Sequence, residues 1–311
     1  MKATAQAGVA DQAGSEALRC PLCDGPARLA LSARDRNREL SDELFRYRRC
    51  EACGVYSLVN VPADLGRFYP PEYYVLPDAG QLDALVPAEI HKLELVRRFV
   101  NPPGRLVEVG PASGVFLYAA RQAGFEVTAI EMDERTCAHL RDTVGIEAVQ
   151  SAHPEIALAE LPPSRAIALW HVIEHVPEPW ALLDAAAANL EPGGALTVAT
   201  PNPDSLQFRV LRARWAHVDA PRHLFLLPLA AVRGRAEAAG LRLAHVTTAD
   251  VAGRQWNRFG WEYALRRRPA AGPVSRPVAG AALGLTLAMR PLEHTGMRGT
   301  TYTAVFVKDG P

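Results

Sequence analysis

The chain has 311 residues, 49% of them hydrophobic, and equal numbers of basic and acidic residues, 34 of each. That is enough apolar material for one large domain and a small one. A formal net charge of zero argues against a surface dedicated to nucleic acid, which normally carries a basic excess.

Residues 1–18 have scattered charges and no continuous apolar core, so they read as a disordered leader and not as a signal peptide. The longest uncharged apolar stretch, Pro277–Met289, is too short to span a bilayer. A cytoplasmic location is therefore expected.

Residues 19–60 hold four of the five cysteines as C-x2-C-x26-C-x2-C. Each C-x-x-C knuckle can place two thiolates on one metal, and two knuckles complete a tetrahedral site. The pattern predicts a zinc ribbon with Cys20, Cys23, Cys50 and Cys53 as ligands of a structural Zn²⁺, and Gly54 suits the tight knuckle turn. A secreted disulfide scaffold would be shorter and denser in cysteine. A redox dithiol would need one pair, in a thioredoxin-like context that neither pair has. Cys137 falls in a predicted helix and reads as a small core residue. The Pro- and Tyr-rich residues 61–81 read as an irregular connector.

From residue 82 onward strand-like and helix-like segments alternate. Strands are expected at Arg105–Val109, Glu126–Ile130, Ile146–Val149, Arg165–Trp170, Ala195–Ala199 and Leu241–Thr247. Helices are expected at Ser113–Ala123, Glu134–Val144, Trp180–Leu190 and Leu229–Ala239, with a turn at Glu191–Gly194. This alternation predicts an α/β, doubly wound, mostly parallel sheet. Thr301–Lys308 has no helix just before it and fits a final antiparallel strand.

The segment Glu108-Val-Gly110-Pro-Ala112-Ser113-Gly114 places a tight turn after a strand and before a helix. Such a turn suits an adenosyl ligand at the carboxyl ends of parallel strands. Glu131, at the end of the next strand, can accept hydrogen bonds from both ribose hydroxyls. The pattern is E-x-G-x-x-x-G, not the dinucleotide G-x-G-x-x-G. Taken alone, the turn leaves a dinucleotide or a ligand-free structural turn open.

Further along stand Trp170-His171-Val-Ile-Glu174-His175-Val-Pro-Glu-Pro179, Leu190-Glu-Pro-Gly-Gly194 and Thr200-Pro-Asn202, with Trp215 and Pro221-Arg-His223-Leu after them. This ordered series resembles the class I S-adenosylmethionine (SAM)-dependent methyltransferases, over roughly residues 85–250. The resemblance implies a seven-stranded Rossmann-like sheet and SAM as methyl donor. It places SAM at Glu108, Gly110, Ala112, Ser113 and Gly114, its ribose on Glu131 and its adenine beside Met132. Trp170 and His171 would approach its methionine and adenosine parts. The middle glycine of the usual loop is Ala112 here. The acidic residue often found after the third strand is missing, with Gln150 and Ser151 nearby. The string His171-Val-Ile-Glu174-His175 also matches an inverted zinc-protease signature, but that requires a helix, whereas a strand precedes it and prolines follow. Some quinone-pathway members of the group bind a divalent metal through acidic residues in this segment; one of those positions is His171 here.

Methyl transfer requires alignment of the acceptor and, for a hydroxyl or a carbon acid, removal of a proton. Histidine suits that task near neutral pH. His175 and His223 are the candidate catalytic residues, with Glu174 to orient a neighbour; Trp215 and Tyr73 are candidates for the acceptor wall. The expected acceptor is a small molecule such as a sugar, a polyketide or a quinone-like phenol. An RNA base and a catalytically silent SAM-binding module are the alternatives. Residues 250–300 interrupt the passage to the last strand and read as a lid or dimer-contact insertion. The competing reading is peripheral membrane contact through 256–289, with Trp256, Phe259, Trp261 and Tyr263 beside the basic run Arg266–Arg268.

Overall fold

The computed structural model describes residues 18–266 and 274–310. The expected leader, apart from Leu18, lies outside the described residues, as do Arg267 and Arg268.

The cysteine-bearing region is an antiparallel meander. β1 (Ala27–Ala33) pairs with β2 (Phe45–Cys50), and β2 with β3 (Tyr56–Leu58). The connector then makes three short 3-10 turns, at Gly66–Phe68, Pro71–Tyr73 and Ala79–Gln81. It is anchored by the buried Phe68, whose ring meets Phe45 edge-on at 5.8 Å.

The larger part of the chain begins with α1 (Leu82–Arg97), β4 (Arg105–Val109), α2 (Val115–Gln122), β5 (Glu126–Glu131) and α3 (Glu134–His139). Next come β6 (Glu147–Gln150), α4 (Pro154–Glu160), β7 (Ser164–Trp170), α5 (Pro179–Asn189), β8 (Leu190–Pro201) and α6 (Leu206–Leu211). The chain ends with β9 (Phe225–Leu226), α7 (Leu229–Ala238), β10 (Leu241–Thr247), α8 (Val251–Leu265), α9 (Arg276–Glu293) and β11 (Thr301–Lys308).

Seven strands form one sheet in the order β10-β11-β8-β7-β4-β5-β6. β4 to β8 pair in parallel, and β11 lies antiparallel between β8 and β10. β4 and β7 bury nearly every residue, as strands covered by helices on both faces must. The strand order reverses between them, so a crevice opens at their carboxyl ends.

Two local readings change. The helix expected over Glu134–Val144 is α-helical only to His139, and Leu140–Val144 is a π turn. Gly145 (φ 73°) closes it, with the Ile146 N–H donating to the Leu140 carbonyl at 2.8 Å. The turn expected at Glu191–Gly194 belongs to β8, where the register shifts against β7.

The cysteine-bearing segment does not have a core of its own. β9 joins β3, giving a four-stranded sheet β1-β2-β3-β9. Phe45, Tyr47 and Phe68 share one buried cluster with Trp215, Leu224 and Phe225.

The insertion is two helices. Trp261 and Tyr263 on α8 are buried, and Trp261 Nε1 donates to Glu293 Oε1 on α9 at 2.8 Å. These aromatics therefore turn into the protein, while Leu283 and Leu287 on α9 stay exposed. Among the described residues no helix is long and apolar enough to cross a membrane.

Candidate active site

The glycine-rich turn leaves β4 with three residues in left-handed conformations, Gly110 (φ 65°), Ala112 (φ 47°) and Gly114 (φ 72°). Ala112 thus adopts a backbone that glycine adopts without strain, at a cost of about 1–2 kcal/mol for an L side chain. The two glycines answer to packing. A Cβ on Gly110 would lie 2.2 Å from Val172, and one on Gly114 2.5 Å from Leu140. Gly114 therefore makes room for Leu140 of the π turn.

Glu131 ends β5 with its carboxylate buried. Its Oε1 accepts the N–H groups of Met132 at 2.7 Å and Asp133 at 3.0 Å. Burial raises its pKa, and those two bonds together with the Ala112 N–H oppose the rise. Glu108 is buried on β4, and its Oε2 has no hydrogen-bond partner. Burial pushes its pKa up to about 8 against the pull of nearby Lys92. Ser113 stands at the turn, where its carbonyl accepts from His139 Nε2 at 3.2 Å. Met132 is an exposed side chain at the rim. Trp170 ends β7, its ring edge-on to Phe116 at 5.8 Å and under Lys92 Nζ at 5.3 Å.

The expected catalytic residues converge. Glu174, His175 and His223 each offer a polar atom within 4.8 Å of the others. Glu174 is buried, accepts from Thr200 Oγ1 at 2.9 Å and faces His171 Nδ1 at 3.5 Å. Burial opposes its ionisation, but His171 and the other imidazoles outweigh it and hold the carboxyl below its usual range. His171 itself sits at φ 55°, with its N–H on the Ala199 carbonyl at 2.8 Å.

His175 Nδ1 lies 3.0 Å from the Arg222 carbonyl, an acceptor only, so Nδ1 carries the proton and Nε2 is the basic nitrogen. Tyr69 Oη is also 3.0 Å from this Nδ1. His223 repeats the arrangement, with Nδ1 donating to the His217 carbonyl at 2.8 Å. The two rings stack edge to face at 4.6 Å. Burial, reinforced by His223, lowers the His175 pKa to about 4.

These residues line a cavity of about 450 Å³ together with Asn37, Arg38, Tyr73, His217, Trp256, Phe259 and Tyr263. A second cavity of about 500 Å³ runs from Trp170 and His171 past Trp256 to Lys92 on α1. His171 and Trp256 belong to both.

Tyr73 thus lines the site, whereas Trp215 is core, with Nε1 donating to Thr300 Oγ1 at 2.7 Å. Sequence reasoning missed His217, whose buried Nε2 has no partner, and the pocket role of Trp256. It also missed Asn37 and Arg38. The charged stretch around them, between the cysteine pairs, was the available signal.

The four cysteines also converge. Cys20 and Cys53 sulfurs lie 3.8 Å apart, Cys23 and Cys50 sulfurs 3.5 Å apart, and all four lie within 4.8 Å of one another. The knuckles are closed by matching left-handed residues, Asp24 (φ 54°) and Gly54 (φ 75°). The Cys53 N–H donates to Cys50 Sγ at 3.4 Å.

The strand order, with its antiparallel seventh strand and a glycine-rich cradle at the switch point, defines a SAM-dependent methyltransferase. Residues 81–246 match the family model described as a methyltransferase domain, and the chain belongs to that family. It is 33% identical over 180 residues to the ubiquinone biosynthesis O-methyltransferase of Xylella fastidiosa (strain M23), covering 53% of this chain and 70% of that protein. The protein of the same name from Xanthomonas campestris pv. campestris (strain B100) is 31% identical over 183 residues, covering 53% and 74%. A solved SAM-dependent methyltransferase from Archaeoglobus fulgidus shares the fold, with a TM-score of 0.50 at 15% identity over 73% of this chain and 94% of that one.

Proposed function

We propose that the protein transfers the methyl group of SAM to a hydroxyl oxygen of a small acceptor bound in the His175–His223 cavity. The observation that carries this reading is the pair of imidazoles whose Nδ1 protons are committed to the carbonyls of Arg222 and His217. His175 is thereby left with a basic Nε2 on a wall of the cavity, while His223 Nε2 faces the Asp219 carboxylate at 3.9 Å. The relatives named as O-methyltransferases support a hydroxyl acceptor.

The residues of the cradle fit the donor. Glu131, fixed through Oε1, would take the ribose hydroxyls. Glu108 is a buried carboxyl with an unpartnered oxygen, and a bound ammonium would offset its desolvation. Gly110, Ala112, Ser113, Gly114 and Met132 would frame the adenosine, with Trp170 and His171 at the junction with the acceptor. When bound, SAM supplies a methyl group activated on a sulfonium. His175 Nε2 would take the acceptor's proton, and Glu174 would hold His171 and the loop below it.

The cysteine cluster fits one structural Zn²⁺. A tetrahedron with Zn–S bonds of about 2.3 Å has S–S edges of about 3.8 Å, close to the two separations above. With Trp256 facing the cavities, α8 suits a lid. Any contact with a bilayer would fall to exposed apolar side chains such as Phe259 and Leu265 on α8 and Leu283 and Leu287 on α9.

The test is His175→Gln. Removal of a general base lowers turnover by about 10²–10⁴-fold. Methyl transfer from labelled SAM to a panel of hydroxylated acceptors should drop to that extent while SAM affinity holds. Undiminished turnover would remove His175 from the chemistry.

A further inference from the structure

The loop between β1 and β2 belongs to the cysteine-bearing segment, yet it reaches the acceptor cavity. Asp35 and Asn37 touch the larger part of the chain, and Arg38 lies over Tyr73 of the connector. Asn37 Nδ2 donates to the Ala216 carbonyl at 3.1 Å and also to Asp219. Asp35 accepts from Arg222 at 2.6 Å and caps its own loop through the N–H groups of Arg38 and Leu40. Tyr47 on β2 supports the opposite wall, its hydroxyl donating to the His223 carbonyl at 2.7 Å.

The cavity brings charges of both signs together. Arg222 meets two carboxylates, Asp35 and Asp219, a triad with one negative charge in excess. Glu174 is faced by His171. Burial, reinforced by His171 and His223, lowers the His217 pKa to about 3, and His175 is likewise held low, so neither adds a positive charge at neutral pH. Arg266 also lines the cavity, and the hairpin loop adds two more guanidinium groups, Arg38 on the wall and Arg36 beside the Tyr263 ring. Arg38 lies 5.0 Å over the Tyr73 ring and Arg36 5.8 Å over the Tyr263 ring, both rings lining the cavity. The buried Arg36 Nε has no hydrogen-bond partner. These cations stand beside aromatic faces, where a planar or ring-shaped body can stack while its charged end meets the arginines.

We propose that the acceptor is an anion, a hydroxylated ring compound bearing a carboxylate or phosphate. In this arrangement Arg36 and Arg38 of the cysteine-braced hairpin hold the anionic end, and the nucleophilic hydroxyl lies at His175. The anionic end is kept from the reacting end by Glu174, whose ionised carboxylate repels it. The hairpin is therefore a specificity element of the active site as well as a fold brace. This rests on the assignment of the cavity to the acceptor.

The experiment measures binding to the protein already loaded with S-adenosylhomocysteine, so it does not depend on turnover. Matched probes are compared by calorimetry: 3,4-dihydroxybenzoate against catechol for a carboxylate, and glucose 6-phosphate against glucose for a phosphate. At least one anionic member should bind about tenfold or more tightly than its uncharged partner, the scale of one charge-assisted hydrogen bond. Which pair shows the preference identifies the anion. Arg38→Gln, at an exposed position, and Arg36→Gln/Arg38→Gln should abolish the preference and leave S-adenosylhomocysteine affinity unchanged. Equal binding within both pairs, no binding of either anion, or a preference that survives in the double variant would overturn the proposal. If instead the preference is present but His175→Gln retains full turnover, the base assignment fails and the anion site stands.

Discussion

Arg222 and Asp35 form an ion pair, Nη2 to Oδ1 at 2.6 Å, with both side chains shut off from solvent. It joins the hairpin loop of the cysteine-bearing segment to the loop that carries His223. Asp219 closes the triad from the other side, also at 2.6 Å. A buried pair of this kind gives little net stability over apolar residues of the same shape, but breaking it leaves a charge uncompensated.

Asp35→Ala should therefore destabilise the protein by about 3 kcal/mol, the low end for a broken buried pair because Asp219 remains. Denaturant unfolding measures this. The same loop is braced from below by the cysteine cluster, so metal removal should act in the same direction. Chelation should release one zinc per chain and weaken acceptor turnover before it weakens S-adenosylhomocysteine binding. Simultaneous loss of both functions would contradict a role confined to the acceptor wall.

Ala112 is held at φ 47°, where glycine is free of strain. Ala112→Gly relieves about 1–2 kcal/mol in the folded state and adds about 0.5–1 kcal/mol of chain entropy to the unfolded state. The net expectation is a gain of about 0–1.5 kcal/mol in unfolding free energy. A loss of stability would mean that the Ala112 methyl makes contacts that outweigh the strain.

His175 and His217 titrate at about 4 and about 3 in the folded protein, below their ordinary 6.5, chiefly because burial disfavours the imidazolium. Between those values and 6.5 the unfolded chain binds protons that the folded chain does not, so stability rises with pH there. Their contribution is complete above pH 6.5 and is lost as pH falls toward 4 and then 3. Unfolding midpoints of the wild type should fall over that window, and His175→Gln should flatten the fall. An identical slope in the variant would place His175 in solvent-like surroundings.

The sheet was legible because its strands are short apolar runs with sharp ends. Arg105–Val109, Leu241–Thr247 and Thr301–Lys308 fall where the sequence places them, the last antiparallel. The order of motifs after β7 was enough for the family. α1 was missed because its buried residues, Leu82, Leu93, Leu95 and Val96, follow no clean helical stripe and Pro87 interrupts it. The acceptor wall was hidden for another reason. Asp35 and Arg222 stand 187 positions apart, and no local period reports such a contact. Trp256 read as part of an apolar insertion because its neighbours are aromatic, whereas the fold turns it between His171 and His217 at ring distances of 5.6 and 5.0 Å.

Titration of S-adenosylhomocysteine into the wild type and Glu131→Ala decides whether the cradle at the ends of β4 and β5 holds the methyl donor. Loss of the charged acceptor for the ribose hydroxyls should cost about 1.5–3 kcal/mol, or roughly tenfold to a hundredfold in affinity. The fold should remain intact, as judged by an unchanged circular dichroism spectrum. Equal affinity in the two proteins would mean that the donor binds elsewhere, and the assignment of this crevice would fail.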